Sequence, residues 1–277
     1  MEKEIPDQLA TLGHPARLAL FRLLMRRYPD RVPAGELAAT LEVKASTMSA
    51  YLSALQKAGL VVQERAGTSL LYTVQMTNVQ RLMGALWGDC CRGRPDLCPS
   101  GYREPPSMHH KEYNVLFICT GNSARSIFAE SLLRRIAGDR FSAFSAGTRP
   151  GAQLNPFAVQ VLRDKDHDIA PLRSKTLDEF IGPDAPRFDF VFTVCDQSAN
   201  EDCPTWEGQP VSGHWGMPDP AQATGTDAQK ALAFQQAYGA LKRRIEAFTA
   251  LPIAQLDRIA LQRAVDDIAR TAPEALA

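Results

Sequence analysis

The chain has 277 residues, about twice a typical domain length of roughly 150, so two globular domains are expected. Its 45% hydrophobic and 22% charged residues, with 12 Phe, 6 Tyr and 3 Trp, suit a protein with a real core and exclude wholesale disorder, collagen and coiled coil. The formal net charge is zero, yet residues 1–112 hold 14 Lys and Arg against 11 Asp and Glu, and residues 113–277 hold 17 against 20, an asymmetry too mild to name a partner without a motif.

The opening Met1–Asp7 has no basic stretch followed by an apolar one, and no apolar run approaches the roughly 18 residues that span a bilayer, so a cytoplasmic protein without a membrane segment is expected. In chain order, residues 6–28 form a helical pattern broken near Gly13-His14-Pro15, with Leu18, Leu20, Phe21, Leu23 and Leu24 as its apolar face. Helices over 34–41 and 46–58 follow, joined by Glu42-Val43-Lys44, and Gly59 stops the second as a C-cap glycine does. Residues 60–64 and 70–74 are β-prone runs joined by Arg65–Ser69, a hairpin signal, and a helix over 79–88 runs into Asp89-Cys90-Cys91. Residues 99–112, rich in Pro, Ser and charge, lack either hydrophobic period and read as a linker. Beyond it, buried-strand runs at 115–118 and 188–194, and a weaker one at 141–146, alternate with helical stretches at 126–137, 155–164 and 228–248. This βαβ order predicts a parallel sheet with helices on both faces. One more amphipathic helix is expected at 253–270. The resulting division is 1–98, linker 99–112, 113–252 and a helical extension 253–277.

Two helices joined by a short turn and followed by a hairpin form a winged helix-turn-helix pattern. The N-terminal end of the second helix offers Ser46, Thr47, Ser49, Ala50 and Tyr51 to base edges, and Arg65, Thr68 and Ser69 on the wing face the phosphate backbone. A protein-interaction module with a solvated Ser/Thr face is the alternative. Residues 9–24, Glu36-Leu-Ala38 and 46–60 resemble the arsenical-resistance repressor family, over residues 5 to about 90. The resemblance implies a homodimer that binds an imperfect palindrome in double-stranded operator DNA and leaves it when a metal or metalloid binds. Cys90, Cys91 and Cys98 lie just past the last helix of this region, and three thiolates on a short segment suit arsenite or antimonite, which take three sulfurs. A similar cysteine pair followed by a third marks one arsenite-sensing subgroup. Zinc, with His109 or His110 as a fourth donor, and incidental thiols are the alternatives.

Six cysteines are too few for a disulfide scaffold of this size, which points to ligand or redox roles. The strongest pattern is Val115-Leu-Phe-Ile-Cys-Thr-Gly-Asn-Ser-Ala-Arg-Ser126, a buried strand, a loop and a helix start. A cysteine that ends a parallel strand and faces a helix N-terminus is placed to hold negative charge on sulfur. Thr120, Gly121, Asn122, Ser123, Ala124 and Ser126 let the backbone wrap a tetrahedral oxyanion, and Arg125 supplies a planar fork for two of its oxygens. This loop resembles that of the low-molecular-weight tyrosine phosphatase fold, an α/β domain with a four-stranded parallel sheet.

Two reactions compete there. A phosphatase needs Cys119, Arg125 and a general acid, for which Asp219 in Met217-Pro-Asp-Pro220 matches the Asp-Pro of that fold. An arsenate reductase needs two further thiols, and Cys195 and Cys203, separated by a polar segment after a strand, suit a disulfide relay. Over 113 to about 250, the stretches Cys119–Ser126, Phe144–Gly147, Phe192–Cys195 and His214–Pro220 resemble thioredoxin-coupled arsenate reductases more than phosphatases. The resemblance implies that Cys119 attacks arsenate held by Arg125, Asp219 protonates the leaving oxygen, Cys195 attacks Cys119, and Cys203 takes over the disulfide for reduction by thioredoxin. The Cys195–Cys203 spacing is one residue longer than in the familiar type, which leaves glutaredoxin or a small thiol as alternative donors. Lys175 stands where some relatives have an acidic residue that helps hold potassium beside Asn122 and Ser145, so potassium independence is expected. No tightly bound cofactor is expected. The combined expectation is an arsenic-responsive repressor fused to the enzyme that makes its effector, with a phosphatase fused to a DNA-binding domain and a non-catalytic oxyanion sensor as rivals.

Overall fold

A computed structural model of the chain describes residues 4–86, 90, 112–182, 184–201, 204, 206 and 208–270, and it divides into two compact units, Met1–Pro105 and Pro106–Ala277. Among the described residues no helix is long and apolar enough to cross a membrane.

In the first unit, α1 (Glu4–Leu12) and α2 (Pro15–Arg27) part at Gly13-His14, and Pro15 takes the first helical position, where its missing N–H has no helical partner to lose. A two-residue strand β1 (Val32–Pro33), too short to show a hydrophobic period, precedes α3 (Ala34–Thr40) and α4 (Ala45–Lys57). The turn between these helices closes through Glu42 at φ 52° and a 3.0 Å bond from the Val43 N–H to the Ala38 carbonyl. Gly59 ends α4 at φ 69°, and its carbonyl accepts from the Asn78 side chain at 2.8 Å. β2 (Val61–Ala66) and β3 (Ser69–Val74) then pair antiparallel through to Ala66 opposite Ser69. The expected five-residue hairpin loop is therefore shorter: Gly67 at φ 59° permits a two-residue turn, so Arg65 and Ser69 join the ladder. β1 adds to the far side of β3, giving the order β1-β3-β2. α5 (Met76–Ala85) begins earlier than the expected Val79. Leu20, Leu23, Leu24, Leu37, Met48, Leu52 and Leu55 are almost fully buried together, because helical spacing turns them all inward.

The second unit alternates β4 (Tyr113–Cys119), α6 (Arg125–Ala137), β5 (Phe141–Gly147), α7 (Pro156–Asp164), a 3₁₀ turn at Leu177–Phe180, β6 (Phe190–Thr193), α8 (Asp196–Asn200), β7 (Val211–His214), α9 (Asp227–Thr249) and α10 (Arg258–Arg270). Its sheet is four-stranded and parallel, in the order β5-β4-β6-β7. β4 is a continuous apolar run because both faces are covered: Val115, Phe117 and Cys119 point to one cluster, Leu116 and Ile118 to another. The first cluster collects the apolar residues of α6, α7, α9 and α10, with Phe192 stacked on Trp215 at 4.0 Å between ring centroids. The second contains no α-helical residue among those described; Leu177 and Phe180 of the 3₁₀ turn cover it with Phe188. Aromatic side chains on this short turn suffice to exclude water from that face. Leu261, Val265 and Ile268 of α10 are buried in the main cluster. Gly213 allows this close packing, because a Cβ there would stand 2.7 Å from Val265 Cγ1.

Candidate functional site

Between β4 and α6, the carbonyls of the loop are held from outside. Cys119, Thr120, Gly121 and Ser123 accept from the N–H groups of Thr148, Arg149, Gly151 and Asn155 at 2.9–3.1 Å. In a trans peptide the next N–H points opposite to the carbonyl, so the N–H groups of 120, 121, 122 and 124 turn inward. Asn122 N–H accordingly donates to Cys119 Sγ at 3.2 Å, and Asn122 adopts φ 41°. Gly147 lets the outer segment approach: a Cβ on it would lie 2.7 Å from the Thr120 carbonyl oxygen. A ring of inward donors ending at the N-terminus of a 13-residue helix is an oxyanion cradle.

Cys119 Sγ is 2.9 Å from Ser126 Oγ, and both residues are buried. Burial pushes the Cys119 thiol up, as does Cys195, while the Ser126 hydroxyl and N–H, and more weakly the Arg125 guanidinium, pull it down. The expected thiolate stabilisation by loop and helix is thus opposed by desolvation, the larger effect. Arg125 donates from Nη1 to the Met217 carbonyl at 3.2 Å and from Nη2 to Asp219 Oδ2 at 2.9 Å. Asp219 Oδ1 meanwhile accepts from Ala221 N–H at 3.1 Å, at the start of the 3₁₀ turn Pro220–Gln222. Cys195 caps α8, and its Sγ lies 3.1 Å from Ser198 Oγ and 3.4 Å from Thr120 Oγ1. Cys119, Arg125, Asp219 and Cys195 are therefore brought together; Cys203 lies outside the described residues.

Beside the loop, Asn122 donates to Ser126 Oγ at 2.8 Å and Ser145 Oγ at 2.9 Å, and accepts from Lys175 N–H at 2.7 Å. Lys175 Nζ is 2.8 Å from Glu130 Oε2, with both side chains nearly fully buried, and it also donates to the Arg173 carbonyl at 3.2 Å. An ammonium thus neutralises the carboxylate, and the set does not fit a further monovalent cation. Sequence reasoning missed Glu130, although a charge within the apolar run of α6 was its signal, and it missed Ser198, whose role depends on Cys195.

In the first unit, Ser46, Ser49 and Ala50 are exposed on α4 with Thr47 partly so, while Tyr51 is half-buried with its ring 5.4 Å from that of His14. Lys44 precedes α4, and no side chain caps that helix start. Arg65, Thr68 and Ser69 are exposed at the wing tip, where Arg65 Nε donates to the Gly67 carbonyl at 3.3 Å. Cys90 is exposed; Cys91, Cys98, His109 and His110 lie outside the described residues.

The fold and the cradle define a parallel α/β domain with a cysteine set in an oxyanion loop, carried on one chain with a winged helix-turn-helix domain. Residues 114–261 match the family described as low molecular weight phosphotyrosine protein phosphatase, and residues 12–64 match a helix-turn-helix domain. The chain belongs to the low molecular weight phosphotyrosine protein phosphatase family. Within it, the second unit is homologous to arsenate reductases: it is 38% identical over 134 residues to the arsenate reductase of Oceanobacillus iheyensis, covering 48% of this chain and 93% of that one. The arsenate reductase of Bacillus subtilis is 35% identical over 134 residues with the same shares. The crystal structure of an arsenate reductase from Archaeoglobus fulgidus aligns at a TM-score of 0.37 and 26% identity, over 48% of this chain and 98% of that one.

Two outcomes follow from the site's electrostatics. Because the Cys119 thiol is held above its ordinary value, its alkylation by iodoacetamide rises with pH; Ser126→Ala removes a group that pulls it down, so the modification slows at neutral pH, as peptide mapping reads directly. Lys175→Met leaves Glu130 buried with only Arg134 and Ser145, and costs about 3 kcal/mol in urea denaturation, while exchange of KCl for NaCl leaves the native midpoint unchanged.

Proposed function

We propose that the second unit reduces arsenate to arsenite through a cysteine relay, and that the first unit is an operator-binding repressor released by arsenite. One observation carries the enzymatic reading: a second buried thiol, Cys195, lies two residues past the end of the strand next to that of Cys119 and 3.4 Å from Thr120 of the anion loop. A phosphatase has no need of it. Arsenate, a tetrahedral oxyanion, takes the inward N–H groups and the Arg125 fork. Once Arg125 turns to the anion, Asp219 holds a proton against the leaving oxygen, and Cys119 displaces water to form a sulfur–arsenic bond. Cys195 attacks Cys119 Sγ; the sulfur–sulfur bond forms, the electron pair of the sulfur–arsenic bond stays on arsenic, and As(V) leaves as As(III). Cys203 then attacks Cys195 Sγ, the Cys119 thiolate leaves, and the resulting Cys195–Cys203 disulfide is reduced by thioredoxin, or by glutaredoxin or a small thiol. Lys175 makes this activity independent of potassium.

The test is arsenate-dependent NADPH oxidation with thioredoxin and thioredoxin reductase. Cys119→Ser, Cys195→Ser and Cys203→Ser each abolish it. Turnover of p-nitrophenyl phosphate that survives Cys195→Ser, with no arsenate-dependent oxidation from either redox protein, makes the domain a phosphatase instead. Absence of both activities makes it a binding module for oxyanions.

For the first unit, the exposed hydroxyls of α4 and the exposed wing tip support contact with bases and phosphates by a homodimer on palindromic operator DNA. Cys90, Cys91 and Cys98 supply three sulfurs for arsenite or antimonite; zinc with His109 or His110 is the competing ligand. In a host lacking other reductases, arsenite derepresses a reporter equally with the native chain and with Cys119→Ser, whereas arsenate derepresses only with the native chain. Equal derepression by arsenate separates the sensor from the enzyme.

A further inference from the structure

Two imidazoles are buried in the second unit among the described residues, and the proposed reaction uses neither. His167 bridges Ser131 and Tyr238, at 2.8 and 2.7 Å, and so ties α6 to α9. His214 makes a different bridge. It ends β7 directly opposite Thr193 of β6, and its Nδ1 lies 2.8 Å from Thr193 Oγ1. Its Nε2 lies 3.3 Å from Asp196 Oδ1, although Asp196 is half-exposed while the His214 side chain has no exposure at all. Thr193 and Asp196 flank Cys195, two residues before it and one after, so a single ring holds both sides of the turn that carries the thiol.

The surroundings are built for this bridge. Gly216 passes so close that a Cβ there would stand 2.4 Å from Asp196 Oδ1 and 2.6 Å from His214 Nε2. Trp215 N–H bonds the Thr193 carbonyl at 2.7 Å, which pins the strand end from the same segment. α8, capped by Cys195, has only five residues, and a helix that short keeps its place only through contacts with the rest of the fold. The direction of the Cys195 Cα–Cβ bond is therefore set by its anchors rather than by the helix.

We propose that His214 is a positioning residue for Cys195: by holding Thr193 and Asp196 together, it aims the Cys195 sulfur at Cys119. The inference rests on the relay reading. The step it serves is displacement at Cys119 Sγ, where the incoming sulfur must lie in line with the departing arsenic. The two sulfurs lose two electrons as their bond forms, As(V) gains them, and the arsenite takes up the proton lost by Cys195. In-line geometry makes this step sensitive to small misplacements of the attacking atom.

The experiment is a single turnover of the full-length chain carrying Cys203→Ser, with the Cys119–Cys195 disulfide quantified by peptide mass mapping after acid quench. His214→Ala slows disulfide formation roughly tenfold to a hundredfold. The phosphate concentration that half-protects Cys119 from iodoacetamide stays the same, because the ring's bonds to Thr193 and Asp196 lie outside the anion loop. His214→Gln, which reaches the position of Nε2, recovers part of the rate, and Asp196→Ala adds little once His214 is gone. An unchanged rate in His214→Ala overturns the proposal. So does a slower rate accompanied by lost phosphate protection, since His214 then serves the fold as a whole. Failure of the disulfide to form with His214 in place overturns the relay reading itself, and this inference with it.

Discussion

The second unit depends on four carbonyl oxygens being held away from the site. Loop peptides have no fixed direction of their own, and a donor ring for an anion exists only if each N–H is turned inward against its tendency to seek solvent. The segment from Thr148 to Asn155 does this by bonding the outward carbonyls of Cys119, Thr120, Gly121 and Ser123. Because β5 pairs in register with β4 up to Cys119 opposite Gly147, that outer segment leaves its strand at the height where the loop begins. The preorganised dipoles of the cradle thus come from strand register, and their alignment is settled in folding rather than when an anion arrives.

Sheet order then decides which chemistry reaches the cradle. With β4 between β5 and β6, the chain crosses to opposite sides at the β4–β6 boundary, the place where a parallel sheet opens a crevice at its strand ends. Cys119 closes β4 and Cys195 follows β6 by two residues, so two thiols far apart in sequence share that crevice. Burial holds the Cys119 thiol against ionisation, and the nearby Cys195 adds to that cost. The Ser126 hydroxyl, the Arg125 fork and the inward N–H groups offset part of that cost on the Cys119 side, and Ser198 and Thr120 contact the sulfur of Cys195.

What could be read from the sequence was what is local. The strand-loop-helix of the cradle is contiguous, so Cys119, Arg125 and the small residues between them stand out, as do the turn between α3 and α4 and the glycine after α4. Strand β7, Val-Ser-Gly-His, has no hydrophobic period because Gly213 is matched to Val265 more than fifty residues later in the chain. β1 is two residues long and exists only by pairing with β3. Glu130 escaped notice, and His214 stood only within a resembling stretch with no role of its own, for the same reason: each has its meaning from partners on other elements, Lys175 and Ser145 for one, Thr193 and Asp196 for the other. Lys175 was legible only through resemblance, and the structure adds the carboxylate that it neutralises.

The proposed substrate and product differ in the property to which the cradle responds. Arsenate is an anion at neutral pH and engages the N–H ring and Arg125; arsenite is uncharged there and offers neither the geometry nor the charge to hold them. Reduction therefore removes the product's own grip on the site, and release needs no separate device. Arsenite binds instead to sulfur, and the thiols among the described residues differ in access. Cys119 and Cys195 are about 2% and 1% exposed inside the anion-selective crevice, whereas Cys90 is open to solvent. A neutral thiophile meets the exposed thiol readily and the buried pair only through a loop shaped for anions. In the proposed reaction, the same change of charge that loosens the product from the anion loop leaves it with a preference for exposed thiols such as Cys90.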